Sequence, residues 1–190
     1  MATGPVPADA AVTREELHFR RIDMRGFRRG DGLFEVEGRL TDQKTHDFEH
    51  PAPGRRVPAG EFVHDMGVRL VFDADMVVRD VQTFTNRFPY PACPGGAHAL
   101  QSINGLRMAD GWSREVRARL RGAAACTHLM EILMPMATAA FQALGPLRMT
   151  QPERCDAQGR PLQIDSCYAY AADGEIVLQR WPRFHKAPGA

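Results

Sequence analysis

Cys126-Thr127-His128 places a thiol and an imidazole two residues apart, directly before a long apolar stretch. A cysteine at a helix start meets unpaired backbone N–H groups and the positive end of the helix dipole, both of which favour thiolate. The segment therefore reads as a nucleophile with its base, or as a small residue packed at a helix start, since free cysteine is among the most buried residue types. Cys93-Pro94-Gly95-Gly96 is the other sulfur-bearing segment. Its two glycines could arrange backbone amides as an anion-binding nest, or supply only turn geometry. Cys93, His98, Cys126 and His128 are all competent zinc ligands, but C-x4-H and C-x-H are not the paired spacings of structural sites. Metal is not expected, and zinc is kept as a minor alternative.

His64 falls on the apolar side of an alternating segment and is followed by Asp65 on the opposite side. An imidazole titrates near neutrality, so His64 is the leading candidate for a general base or acid, with a satisfied core histidine as the alternative. Arg28, Arg29, Asp31, Glu37, Asp42 and Lys44 form a charged set around one strand. Exposed, such a set is a screened surface ladder; covered, its cations would bind a substrate anion. The expected catalytic residues are thus His64, Cys126 and His128. Arg28, Arg29, Lys44, Asp65 and Cys93 are the expected substrate contacts.

These residues need elements to position them. Residues 15–22 alternate weakly, and 28–32 carry turn-forming glycines. Residues 33–48 alternate with Phe34, Val36, Gly38 and Leu40 on one face, the period of a half-buried strand. The proline- and glycine-rich 50–60 is a loop, whereas 62–73 and 76–85 alternate again. Prolines stiffen 88–96, and helices are expected over 97–103, 112–121 and 127–144, the last interrupted by Pro135 and stopped by Gly145-Pro146. A final hairpin is expected to join 163–170 to 175–181 through Ala172-Asp173-Gly174. The resulting class is α+β: an antiparallel meander of about six strands against a layer of about three helices, in one domain over 13–186, preceded by a disordered arm over 1–12.

Composition removes several functions. The 190 residues carry 24 basic and 23 acidic side chains, a net charge of +1, without the basic excess of a nucleic-acid surface. No run has the length of a membrane span and the N-terminus has no signal-peptide pattern, so the chain is expected in the cytoplasm with reduced cysteines. Phosphate-binding, dinucleotide-binding, serine-elbow and H-E-x-x-H patterns are absent from the sequence.

The segments from Arg28 to Gly38, His64-Asp65-Met66, Tyr90-Pro91-Ala92-Cys93-Pro94, Cys126-Thr127-His128-Leu129 and the late Cys167 with Asp173-Gly174 resemble the bacterial domain-of-unknown-function family 2889. The likeness runs over about residues 20–184; Phe34 stands where tryptophan is usual and Ala125 where glycine is. It implies no activity. From the residues, the expectation is an enzyme that needs no organic cofactor and applies general acid–base chemistry of lyase or isomerase type to a small aromatic or apolar substrate. Phe62, Met66, Phe72, Met130, Met134 and Phe141 would wall its pocket. The alternatives are a non-catalytic ligand-binding or assembly protein and a cysteine-dependent hydrolase. A homodimer is the expected assembly, as the commonest among soluble proteins.

Overall fold

The strand periodicity translates into a four-stranded antiparallel sheet. Its strands are β1 (His18–Arg28), β2 (Phe34–Lys44), β5 (Phe62–Phe72) and β6 (Val78–Arg87), in the order β1-β2-β5-β6. Between β2 and β5 the chain makes an excursion, β3 (Phe48–Glu49) and β4 (Arg56–Val57), which pair as a second small sheet. The computed structural model describes residues 12–49 and 56–187; the expected arm, apart from Val12, and part of the 50–60 loop lie outside them. Two compact units divide the chain, Met1–Gly145 and Pro146–Ala190.

In the first unit one face of the sheet carries Phe34, Val36, Leu40, Met66, Val68, Leu70 and Phe72, all buried. Helix α2 (Thr127–Ala143) covers this face with Leu129, Ile132, Leu133, Met136 and Ala140. Cys126 is the N-cap residue of α2. Pro135 sits on the exposed side of the helix, where the carbonyl it leaves without an amide partner can meet water. The short helix expected over 97–103 is part of a longer 3-10 helix, Cys93–Ile103, which packs on β6. Helix α1 (Trp112–Leu120) completes the layer, with the Trp112 indole N–H donating to the Leu133 carbonyl at 3.0 Å.

The helix crosses the sheet closely because glycines clear its path. A Cβ on Gly26 would stand 2.6 Å from the Ala143 Cβ, and one on Gly38 would overlap the Ile132 Cγ2. This contact sets how near the N-terminal turn of α2 comes to β2 and β5. Two irregularities mark the same end of the sheet. The register slips between Asp42 and Gln43, leaving Val63 as the extra residue of β5, and again between Asp65 and Met66, where Asn86 is the extra residue of β6. Bulges of this kind re-aim the side chains beside them.

The second unit corrects the expected final hairpin. Residues 163–170 end in a 3-10 turn (Tyr168–Tyr170), and Glu175–Arg180 forms a short helix, α4; a further short helix, α3 (Gly145–Arg148), lies at the sequence boundary. The β-branched and apolar run Ile176-Val177-Leu178 reads as a strand, but the Gly174 carbonyl accepts the Leu178 N–H and starts a helical turn with Glu175 at its head. Val177 then joins Ile164, Ala172 and Trp181 in a small core. The total of six strands stands because β3 and β4 take the place of the hairpin.

Ile132 is β-branched and stiff, so Gly38→Ala forces α2 away from the sheet. The variant is expected to lose about 1–3 kcal/mol in urea denaturation, the range for overpacking a core. An unchanged midpoint would mean that the close crossing is not constrained by Gly38.

Candidate active site

The site is built around Asp42, which lies in phase with the apolar face of β2 and whose side chain is only 3% exposed. A carboxylate in that position must find donors. Arg20, from β1, donates from Nε to Oδ1 and from Nη2 to Oδ2, each at 2.8 Å. His18 Nε2 lies 2.9 Å from Oδ1 and His64 Nδ1 2.9 Å from Oδ2. The register delivers these groups, since Arg20 faces Asp42 across β1–β2 and His64 faces it across β2–β5. Burial alone would raise the Asp42 carboxyl, but Arg20, His18 and the field of His64 outweigh it and hold its pKa at about 2.

Ionisation of Asp42 decides the state of its neighbour. A carboxylate offers only acceptors, so the His64 Nδ1 must carry a proton; in the neutral ring the Nε2 then keeps a lone pair. Burial pushes the His64 pKa down, the neighbouring His128 pushes it further, and Asp42 opposes both; the net direction is downward. His64 is therefore held in its neutral, base-competent form near pH 7.

The first turn of α2 supplies the other half of the site. The ring centroids of His64 and His128 lie 4.0 Å apart at an angle of 36°. The Cys126 Sγ sits 3.9 Å from the His128 Nδ1 and 3.9 Å from the Met66 Sδ. Burial would raise the thiol pKa, but the His128 ring and the backbone amides of Leu129 and His128 prevail and lower it. The three expected catalytic residues thus meet in one place.

The expected substrate contacts do not. Arg28 and Arg29 lie at the far end of the sheet, beside Phe34; Asp42 is eight residue steps further along β2, roughly 27 Å away. Arg29 is held there by Asp31 and Glu35. Asp65 faces the other side of β5, where Arg39 holds it bidentately at 2.7 and 3.0 Å and Asn86 adds a third bond. Lys44 lies at the correct end of the sheet, with its Nζ 4.9 Å from the Phe48 ring centroid. Cys93 begins the 3-10 helix, and its N–H and that of Gly95 are bonded to Tyr90 and Ala92, so neither is available for a nest. Gly96 instead backs directly on Cys126, its carbonyl accepting the Cys126 N–H at 3.3 Å. The supposed apolar walls also disperse: Met66 and Phe72 are wholly buried, Phe141 is exposed, and Met130 and Met134 face α1.

Arg20, His18 and Glu131 are site residues without a sequence signal of their own; Glu131 accepts Arg20 Nη1 at 2.6 Å. Asp42 did carry one, as a charged residue continuing the inward phase of Phe34, Val36, Gly38 and Leu40. Asp42, His64 and His128 present donor atoms within 4.8 Å of one another, close enough to converge on one cation. As arranged, however, both Asp42 oxygens are already occupied by Arg20 and two imidazoles, and the guanidinium opposes a second positive charge. Within this set Asp42 and His64 share a hydrogen bond, and His128 meets the His64 ring.

An antiparallel sheet crossed by one helix, with a carboxylate–imidazole pair buried where that helix begins, defines an α+β protein with a polar site between its layers. The chain belongs to the family described as "Protein of unknown function (DUF2889)", whose model matches residues 18–142. That span runs from His18 of the site almost to the end of α2. No curated protein and no solved structure matches the chain.

Asp42→Asn leaves Arg20 facing a neutral amide. With Arg20 partly exposed, the expected loss is roughly 2–3 kcal/mol, somewhat below that for a fully buried pair. The folded-state pKa of Asp42 is depressed, so its stabilisation is complete above about pH 4 and fades as pH falls toward 2. It amounts to about 2 kcal/mol. Denaturation of wild type and variant should therefore converge at low pH; a constant difference from pH 7 to pH 2 would contradict this assignment.

Proposed function

We propose that this protein is a cytoplasmic small-molecule enzyme of lyase or isomerase type, working by general acid–base catalysis without an organic cofactor. The observation that carries the reading is the 2.9 Å bond from the His64 Nδ1 to the ionised, buried Asp42. Such a carboxylate fixes the tautomer of the ring, aims its Nε2 and stabilises the imidazolium formed when that nitrogen takes a proton. The substrate proton would pass to the His64 Nε2 and return from it to the product. His128, packed on the same ring, keeps His64 neutral beforehand and can serve as the second proton carrier.

A thiol reading has its own support, the lowered pKa of Cys126 beside His128. There the thiolate would attack and His128 would handle the proton. The two readings separate by substitution. Proton–deuteron exchange into a panel of small carbonyl and hydroxy acids in D2O, followed by NMR, detects acid–base chemistry before the net reaction is known. Wild type and Cys126→Ser are expected to exchange a substrate that His64→Gln does not, with melting temperatures within a few degrees. Exchange that survives His64→Gln but not Cys126→Ser would favour the thiol. Stoichiometric zinc in the purified protein would replace both with a metal centre.

The ring itself offers a further check. By NMR titration the His64 pKa is expected below its ordinary value of about 6.5. His128→Ala removes two depressing influences and should raise it, whereas Asp42→Asn removes the one that raises it and should lower it further. Shifts in the same direction would refute this electrostatic account. The acid limb of kcat/KM for any substrate found should follow the same order.

A further inference from the structure

A second feature of the first unit stands apart from the His64 site and does not rest on the reading above. Helices α1 and α2 enclose an open groove of about 1130 Å³ on the flank of α2 away from His128. Met130, Met134 and Ala137 form its floor, at helical spacings of four and three, a half-buried strip about 10 Å long. Arg114, Arg117 and Arg121 line its α1 side, and no Asp or Glu lines it anywhere. The one acidic residue of α1, Glu115, is paired with Arg119 and touched by Arg114. Among the described residues Arg117 and Arg121 have no ion-pair partner. Arg117 lies on α1 and Arg121 directly follows its last residue; both line the groove, near enough for both guanidiniums to reach one anionic head group.

A soluble surface does not need an apolar strip below a one-sided row of cations. A carboxylate with a hydrocarbon tail matches both halves. We propose that the groove binds amphiphilic carboxylates of the fatty-acid class. The head group is held by Arg117 and Arg121 near Thr127, and the tail lies over Met130, Met134 and Ala137. Methionine side chains are unbranched and adaptable, which suits an alkyl chain without fixed shape. The floor is too short for a long acyl chain to be covered throughout, so medium chains are preferred.

The probe is dodecanoate below its micellar concentration, added to the full-length protein carrying 13C-labelled methionine methyls. Saturable shifts are expected at Met130 and Met134 and not at the buried Met66. Dodecyltrimethylammonium, with the same tail and the opposite charge, should bind at least about tenfold more weakly. Arg117→Glu/Arg121→Glu should weaken dodecanoate by a similar factor without altering the melting temperature, because both residues are exposed. Met134→Gln is the second variant and should weaken binding through the floor alone. The proposal is overturned if no saturable shift occurs up to about 1 mM, if both detergents bind equally, or if neither variant changes affinity. A dimer that dissociates in the arginine variant, in protein that binds no dodecanoate, would assign the groove to a second copy of the chain and overturn it as well.

Discussion

A carboxylate placed where only apolar groups belong is the constraint around which the sheet end is organised. Asp42 cannot be hydrated where it sits, and a lone buried charge would be intolerable. Every donor that answers this requirement comes from a different part of the chain or from a different position on the sheet: Arg20 and His18 from β1, His64 from β5. The carboxylate thus ties together three neighbouring strands of the meander. It also determines the tautomer of His64, so the stability of this corner and the chemistry of its imidazole have one origin.

The remaining parts depend on how closely α2 approaches. Without the gaps left by Gly26 and Gly38 the helix would ride higher, and His128 would lose its close ring contact with His64. The same first turn aims two backbone amides at the Cys126 Sγ, opposing the effect of burial on that thiol. Gly96 performs the corresponding role on the outer side: a Cβ there would stand 2.8 Å from the Cys126 nitrogen. The Cys93–Gly96 segment therefore acts as a backstop for the helix start, by close backbone approach, and not through the Cys93 thiol.

Strands β2 and β5 and helices α1 and α2 were legible within a few residues because each has one strongly apolar face whose period reports its secondary structure. The first strand was legible only as a fragment over 15–22: β1 is mostly exposed, and its alternation is diluted by arginines that serve Asp42 and the open face of the sheet. The last segment misled, because Ile176, Val177 and Leu178 satisfy a strand pattern equally well and the deciding factor is the local turn at Gly174. Of the expected contacts, Arg28 and Arg29 were grouped with Lys44 because all border one strand in sequence. A strand is extended, so its two ends are far apart in space.

From the sequence by itself came the α+β class, the meander, the inward position of His64 and the placement of Cys126 and His128 at a helix start. These follow from local period and from capping, which are properties of neighbouring residues. The partnership of Asp42 with Arg20, His18 and His64 and the ring contact between His128 and His64 were decided by tertiary structure alone. They depend on strand register, on two bulges and on one close helix crossing, and a shift of a single residue in any of these would turn the same side chains away from one another.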